Sequence, residues 1–348
     1  MKLYKQIILI LIIFFKTGNV LSESDIFNVS NIEVLKKAEI TNSQMSRQAI
    51  KKGFQELINK ILLDQDKEKL SKLSFSQIQE LVSYYQVTNK NSNDTEESIE
   101  NYNILFDKDK IHDLFFVKEI SYSEIIDKEL YLLPILNKNN QIFIFNQNFF
   151  YQNWNNENSI NLIEFILPIE NIEIIQNINT YKDNLLDLNL DDLFKEYQKK
   201  NLAMIYIDDY SSTKIKIFLK IKISGKKISK NLNLNKNIKK ENDLYKELII
   251  QLKNELINTI KSENLIDVRR PSFLNVKLKL SKKNSLIELN KRLKNIDSIE
   301  NIYVQELNSN YVFLKIKYLG RLAKIINQLE NQKILLRETG NQWSFKLI

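Results

Sequence analysis

The spacing of apolar residues predicts helices and strands in three successive regions of the chain. In the first region, Thr41 and Gln44 form a capping-box start for a helix that runs to about Leu63 with one apolar face. Ser74 and Gln77 repeat this capping pattern before a second helix. Alternating or short apolar runs predict strands at residues 26–35, 84–88 and 102–106, followed by a helix at 109–117. We therefore expect an α+β domain over residues 23–125.

The second region, residues 126–268, contains the clearest strand pattern. From Lys214 to Ile223, apolar residues alternate with mainly basic ones, which is typical of a strand with one buried and one exposed face. Further strands are predicted at 130–136, 141–145, 163–167 and 203–207, and helices at 190–199 and 243–262. These elements predict a central α+β domain with a Lys-rich strand.

The third region, residues 269–348, begins with the linker-like sequence Arg269–Pro271 and has the element order βαββαβ with one added strand. Strands are predicted at 273–280, 302–307, 311–318, 334–337 and 343–347, and helices at 285–296 and 320–329. This order is ferredoxin-like, and it places Trp343 in the core. The whole chain is thus expected to be α+β, built from three small sandwich-like units. A ferredoxin-like order does not indicate a function, because that fold hosts many unrelated ones.

The first 22 residues have the pattern of a secretory signal peptide. Lys2 and Lys5 precede the apolar run Ile7–Phe15, and Val20–Ser22 suits a cleavage site. That run is much shorter than the roughly 20 residues of a membrane-spanning helix. We expect a cleaved signal peptide at residues 1–22 and a periplasmic protein. The alternative is an uncleaved segment that tethers the protein to the inner membrane.

Composition narrows the chemistry that the chain can perform. Loss of residues 1–22 would remove three Lys and no acid, which lowers the formal charge from +8 to +5. The sequence contains no Cys, so disulfides and lipid attachment to Cys are excluded. With five Gly in all, it has no glycine-rich phosphate-binding motif, and we expect no cofactor. An exported protein is also not expected to bind nucleic acid.

Catalytic or metal-binding patterns are weak. The single His, His112, has no second His or Cys to act with, and we expect it to be a structural residue at the surface. The segment Asp187–Asp192 begins like a calcium loop, but Asp192 occupies the glycine position and Gln198 the final Glu position. A helix N-terminus, which favours acidic residues, explains this segment better. The sequence predicts no catalytic, cofactor-binding or metal-binding residues.

Two sets of residues are candidates for binding a partner. Four lysines of the alternating strand form a candidate face for an anionic partner, or else a solvated face that prevents aggregation: Lys214, Lys216, Lys220 and Lys222. Aromatic residues within an Asn-rich segment form a candidate contact loop, or else a loop packed by its own rings: Phe149, Phe150, Tyr151 and Trp154.

Packing residues spread along the chain resemble the domain of unknown function 2066 family. In the first region they are Arg47, Ala49, Gly53, Phe54, Leu57, Ile58, Lys60, Ile61, Leu81, Val82, Tyr85, Tyr102 and Phe106. In the rest of the chain they are Leu133, Pro134, Ile135, Leu136, Trp154, Pro168, Tyr318, Gly320, Leu335 and Trp343. The resemblance implies an exported envelope protein of Gram-negative bacteria whose function is not assigned, and it implies no catalytic residues.

Together these features predict a periplasmic, non-enzymatic protein. Its expected role is to bind or scaffold an envelope protein or an anionic envelope component. The alternative is a carboxylate-based envelope hydrolase of the glycosidase type. Such an enzyme would need two paired acids in one cleft, and spacing along the sequence does not reveal that pair.

Overall fold

The structure, a computed structural model, describes residues 26–36, 41–89, 98–125, 128–156, 162–182, 184–198, 200–236, 240–280, 285–296, 298–339 and 342–348. The predicted signal peptide lies outside these residues. The chain divides into two compact units, one taking residues up to Tyr122 together with Ile266–Ile348, and the other Ser123–Leu265. The α+β class is confirmed. The division into three domains stays a prediction.

The N-terminal part of the first unit is a three-stranded antiparallel sheet with helices. Its elements are β1 (Asn28–Lys36), α1 (Asn42–Ile61), α2 (Asp64–Lys67), α3 (Phe75–Glu80), β2 (Val82–Asn89), β3 (Ser98–Phe106), α4 (Lys108–Lys118) and β4 (Tyr122–Ser123). The strand order is β1-β3-β2. Both predicted capping boxes are confirmed: Thr41 with Gln44 begins α1, and Ser74 with Gln77 begins α3.

The buried face of α1 packs against β3 to form the core of this part. It contributes Met45, Ala49, Phe54, Leu57 and Ile61, which meet Tyr102, Ile104 and Phe106 of the strand. Gly53 marks the closest approach of the helix, because a Cβ atom at this position would lie 2.7 Å from Cδ1 of Ile104. The sequence pattern therefore located both the helix and its buried side.

The second unit is built on one mixed sheet. Its elements are β5 (Glu129–Lys138), β6 (Gln141–Phe143), α5 (Phe149–Asn153), β7 (Glu164–Ile166), α6 (Ile172–Thr180), α7 (Leu190–Leu193), β8 (Asn201–Asp208), β9 (Lys214–Ile223), β10 (Lys226–Asn235), α8 (Glu241–Glu263) and β11 (Leu265–Ile266). The strand order is β10-β9-β8-β5-β6, and β7 also pairs with β5. Strands β5 and β8 are parallel, whereas β8, β9 and β10 are antiparallel. A separate two-stranded sheet pairs β4 with β11.

Apolar residues cover both faces of this sheet at its centre. Side chains of α8 pack on one face, against alternate residues of β9 such as Ile217 and Leu219. The segment from α6 through α7 packs on the other face, against Leu133 and Ile135 of β5. Because β5 is buried on both sides, it reads in sequence as a continuous apolar run rather than as an alternating one.

Several features of this unit differ from the sequence pattern, and helices α5 and α6 were not predicted. Strand β10 was not predicted, because its Lys and Asn residues are depleted in strands, yet it pairs with β9 along its whole length. The helix predicted at residues 190–199 is shorter. It consists of α7 followed by the 3-10 turn Lys195–Tyr197.

The C-terminal part of the first unit is a five-stranded sheet with two helices on one face. Its elements are β12 (Ser272–Lys279), α9 (Ser285–Leu293), β13 (Ile299–Leu307), β14 (Tyr311–Tyr318), α10 (Leu322–Asn331), β15 (Ile334–Thr339) and β16 (Gln342–Leu347). The predicted order of elements is confirmed, and Trp343 packs against the core that α9 and α10 cover. Strand order adds something that the sequence did not show: β16 lies between β12 and β15 and runs parallel to β12. The last strand of the βαββαβ motif, β15, is thereby displaced to the sheet edge.

Candidate functional site

The face of the C-terminal sheet opposite α9 and α10 carries aromatic rings and ammonium groups in alternation. Leu274, Val276 and Leu278 of β12 point toward the helices, so the intervening residues point to the other face. The same alternation holds in β14. We call six residues of these two central strands the basic–aromatic face: Phe273, Lys277, Lys279, Tyr311, Phe313 and Lys315.

The strand register brings the rings and cations of this face together. Lys277 lies opposite Phe313, and Lys279 lies opposite Tyr311. Nζ of Lys277 is 4.3 Å from the centroid of the Tyr311 ring and 5.3 Å from that of Phe313. Nζ of Lys315 is 4.4 Å from the ring centroid of Phe273. These are cation–π distances, so the rings hold the ammonium groups over the sheet while leaving them free to bind an anion.

Acidic residues near this face are already engaged. Glu300 lies 3.4 Å from Nζ of Lys317, and Glu306 accepts a hydrogen bond of 3.1 Å from the hydroxyl of Tyr311. Across the described residues, no carboxylate forms an ion pair with Lys277, Lys279 or Lys315. Arg337 and Lys346 extend the positive charge on β15 and β16, since Arg337 pairs with Ser344, which in turn pairs with Lys277. The face is therefore a net cationic surface.

A second polar cluster lies where the parallel strands β5 and β8 end, a location at which α/β sheets often bind ligands. The side-chain amide of Asn137 donates to the hydroxyl of Tyr206 and to Asp208, both at 3.1 Å. Asp209, which is only 6% exposed, accepts a hydrogen bond from the hydroxyl of Tyr245 and forms an ion pair with Lys236. The cluster thus joins the strand ends to β10 and α8.

Charges within this second cluster are matched in pairs. Burial, reinforced by the hydrogen bond to Asp209, raises the pKa of Tyr245, so its phenol stays protonated and donates. A hydrogen bond from Lys138 lowers the pKa of Glu241 at the start of α8. Asp209 and Glu241 each have a lysine partner, which leaves neither carboxylate free to act on a ligand. We therefore assign this cluster to holding α8 on the strand ends.

The candidate lysine face of β9 is only half available. Lys214 and Lys216 are exposed. Lys220 donates to the carbonyl oxygens of Leu186 and Leu188, and Lys222 forms an ion pair with Asp191 that lowers the pKa of that carboxyl group. The prediction of four exposed lysines is thus wrong for Lys220 and Lys222, because the segment at residues 185–198 lies across their end of the strand.

The candidate aromatic contact loop is part of the core. Phe150 and Trp154 are fully buried, and the Phe149 ring lies 5.4 Å from that of Tyr245. The hydroxyl of Tyr151 donates to the carbonyl oxygen of Pro168 at 2.8 Å. Burial corrects the prediction of a contact loop at Phe150 and Trp154, whereas Phe149 and Tyr151 are half-buried and pack through their rings. Helix α5 turns Phe149, Phe150 and Trp154 toward α8 and the sheet, whereas Tyr151 packs beside Phe145.

His112 is buried, at 8% exposure, so the prediction that it lies at the surface is wrong. Its Nε2 lies 3.2 Å from the hydroxyl of Tyr122, and its Nδ1 lies 3.5 Å from Glu300. Helix α4 packs the imidazole ring against the rings of Phe27 and Tyr122. Burial is the largest cause that lowers the pKa of His112, and Lys108 adds to it, so the neutral form is favoured.

Acidic side chains also gather in one groove of the second unit. A shallow groove between α6 and α7 contains Glu173, Asp192 and Glu196, but Glu173 is largely exposed and lies 3.5 Å from Lys195. In the part of the chain that the structure describes, no three His, Asp or Glu side chains are placed to hold a metal ion. The interpretation of Asp191 and Asp192 as a helix start is confirmed, because Asn189 caps α7 just before them.

No family model and no curated protein matches this chain. One solved structure, the crystal structure of an uncharacterized protein, is similar over 40% of this chain and 94% of its own, at 11% identity and a TM-score of 0.17. A similarity this low supports no argument about fold or function. The resemblance to the domain of unknown function 2066 family stays a prediction. Of the helices described here, none combines the length and the apolar character required to cross a membrane.

The sequence pattern missed the basic–aromatic face, although its signal was present. Phe273, Lys277 and Lys279 alternate with buried residues just as the lysines of β9 do, and Tyr311, Phe313 and Lys315 repeat the pattern. Only the register of β12 against β14 shows that the two patterns meet on one face. The face could have been predicted by assuming that the two strands with alternating basic and aromatic residues are neighbours in the sheet.

Proposed function

We propose that this protein is an exported, non-enzymatic protein that binds an anionic polymer of the cell envelope on the basic–aromatic face. The observation that carries the proposal is the set of three lysines on adjacent strands, two of them held over aromatic rings at 4.3 and 4.4 Å, with no carboxylate partner among the described residues. The export pattern of residues 1–22 supports an envelope ligand, and the net positive charge of the chain supports an anionic one.

The spacing of the cations suits a ligand with repeated charges. Residues two apart on a strand lie about 7 Å from each other, and neighbouring strands lie about 4.8 Å apart. Lys277, Lys279 and Lys315 therefore form a small array on β12 and β14. One exposed ion pair contributes at most about 1 kcal/mol, so a single anionic group would bind weakly. A polymer that contacts several lysines at once gains from effective concentration.

The burial of the rings favours a polymer over a lipid bilayer. Tyr311 and Phe313 are half-buried beneath Lys277, and of the six residues only Phe273, at 49% exposure, presents a large apolar surface. A protein that lies in a membrane interface needs apolar side chains that project into it. On this face the ammonium groups lie above the rings, so a ligand would contact the charges before it contacts an apolar surface.

Binding of a polyuronate, followed by fluorescence anisotropy at low salt, tests this proposal. The variant carries Lys277→Gln and Lys315→Gln, and the matched control carries Lys214→Gln and Lys216→Gln, which remove the same charge from exposed positions of β9. At about 0.5–1 kcal/mol for each lysine, the first variant should bind about tenfold more weakly. The control should change less than about twofold, and added salt should weaken wild-type binding.

Three results would contradict the proposal. The first is a wild-type protein that does not bind the polyuronate at low salt. The second is an equal loss in both double variants, which would indicate only a response to net charge. The third is binding to phosphatidylglycerol vesicles without binding to the polyuronate, which would replace the polymer with a membrane surface.

A further inference from the structure

The two faces of the second unit's sheet differ at the place where β5 and β8 end. Asp209 points to the face that α8 covers, because it accepts a hydrogen bond from Tyr245 of that helix. Side chains alternate along a strand, so Asp208 points to the other face. On that face the segment at residues 185–198 covers only one end of β9. Lys216, near the opposite end of β9, is exposed.

The open part of this face contains one polar residue from each of four neighbouring strands. Asn137 of β5 lies beside Asp208 of β8 in the register. Asp208 lies beside Lys216 of β9, which lies beside the exposed Asn233 of β10. We call these four residues the polar row. Because neighbouring strands lie about 4.8 Å apart, the row spans about 14 Å, and one extended ligand could contact all of it.

Hydrogen bonds at one end of the polar row leave three polar groups available. The side-chain amide of Asn137 donates to the hydroxyl of Tyr206 and to Oδ1 of Asp208. The hydroxyl proton of Tyr206, Oδ1 of Asn137 and Oδ2 of Asp208 have no partner among the described residues. Burial, with the charge of Asp208 adding to it, raises the pKa of Tyr206, so the hydroxyl keeps its proton. One donor and two acceptors are thus fixed in place before any ligand arrives.

Two aromatic rings lie beside the polar row. Tyr206 pairs with Phe218 across β8 and β9, and their ring centroids are 6.0 Å apart with only 28° between the ring planes. Both side chains are half-buried, so part of each ring is accessible. Aromatic side chains combined with a few fixed polar groups are typical of sites for small molecules, in which the rings contact the apolar part of the ligand.

We propose that the polar row, with the rings of Tyr206 and Phe218, binds a neutral oligosaccharide. Asp208 and Lys216 lie opposite each other, so the carboxylate disfavours an anionic ligand and the ammonium group a cationic one. Sugar hydroxyls are uncharged and both donate and accept, which matches the groups left available by the Asn137 hydrogen bonds. The C–H face of a sugar ring can lie on an aromatic ring. This site is independent of the anionic polymer proposed for the basic–aromatic face.

Isothermal titration of the full chain with cellotetraose, an uncharged oligosaccharide, tests the site. Tyr206→Phe removes one hydroxyl and keeps the ring, so it should weaken binding about fivefold, the effect of one hydrogen bond. Asp208→Asn should weaken binding about tenfold, because hydrogen bonds to a charged group are stronger. Tyr303→Phe is the matched control, since Tyr303 is 47% exposed on β13 and lies in the other unit. It should bind cellotetraose like the wild type.

A second set of titrations separates this site from the basic–aromatic face. The double variant with Lys277→Gln and Lys315→Gln should bind cellotetraose normally, and tetragalacturonate should not displace the sugar. A wild-type protein that does not bind cellotetraose would overturn the proposal, whether or not it binds a polyuronate. Equal affinities of the Tyr206→Phe and Tyr303→Phe variants would also overturn it. Displacement by tetragalacturonate would do the same, as would binding of spermidine without binding of cellotetraose.

Discussion

Replacing Gly53 with alanine should destabilise the protein, even though alanine is the better helix former. Gly53 lies in the middle of α1 on its buried face. A Cβ atom there would lie 2.7 Å from Cδ1 of Ile104, whereas ordinary contacts begin at 3.4 Å, an overlap of 0.7 Å. Ile104 is fully buried, so its Cδ1 atom has no solvent to move into.

Two opposing effects decide the magnitude. Glycine in a helix interior costs up to about 1 kcal/mol relative to alanine, which the substitution would recover. Overpacking a filled core costs about 1–3 kcal/mol. The second effect should win, so we expect Gly53→Ala to lower the free energy of unfolding by about 1–2 kcal/mol.

A double-mutant cycle with Ile104→Val isolates the cause. Valine lacks Cδ1, the one Ile104 atom in the clash, since Cγ1 and Cβ lie at ordinary distances of 3.7 and 3.8 Å. Ile104→Val alone should cost about 0.5–1.5 kcal/mol. Adding Gly53→Ala to it should cost nothing further, which gives a coupling free energy of about 1 kcal/mol or more. Urea unfolding followed by circular dichroism measures all four proteins. Strict additivity, or a stabilised Gly53→Ala, would refute the reasoning.

Two further predictions concern the buried polar groups. Tyr245→Phe removes the hydroxyl that donates to the buried carboxylate of Asp209, so it should lower the free energy of unfolding in urea by about 2 kcal/mol. The control Tyr210→Phe, at an exposed position, should leave that free energy unchanged. Equal effects of the two substitutions would contradict the role assigned to this cluster. Because the pKa of His112 lies below its ordinary value of 6.5 in the folded protein, the unfolded chain takes up the proton first. Stability should therefore fall as the pH drops from about 7.5 to 5, with Glu300 and Asp109 opposing this shift and Lys108 adding to it. His112→Gln should make stability depend less on pH over this range. Parallel plots of stability against pH for the variant and the wild type would contradict this assignment to His112.

Local patterns identified most of the secondary structure. The capping boxes at Thr41 and Ser74, the alternation in β9 and the helical spacing in α8 all appear at the predicted places. These signals are short-range. A capping box involves residues three positions apart, and amphipathic periodicity repeats within about one helical turn or two strand residues. Strand β10 lacked such a signal. Its hydrogen bonding to β9 stabilises an extended conformation that its own residues do not favour.

The candidate binding residues were predicted less accurately than the helices and strands, because the exposure of a side chain depends on residues far away in the chain. Phe150 and Trp154 looked like contact residues among asparagines, but packing against α8 and the sheet buries them. Lys222 lies on the polar side of an alternating strand, as expected. However, its ammonium group is paired with the carboxylate of Asp191, which lies 31 residues earlier in the chain. Alternation shows which side of a strand a residue is on, and it does not show what covers that side.

The sequence by itself determined the α+β class, many of the helices and strands, and the polarity of alternating strands such as β9, because those follow from the spacing of apolar residues along a few turns or pleats. Only the tertiary structure decided which polar faces remain open. It inserted β16 beside β12, set Lys277 opposite Phe313, and set Asp208 opposite Lys216. Strand order and register join residues that are far apart in the chain, and the free energy that selects them comes from burial across the whole sheet rather than from any one segment.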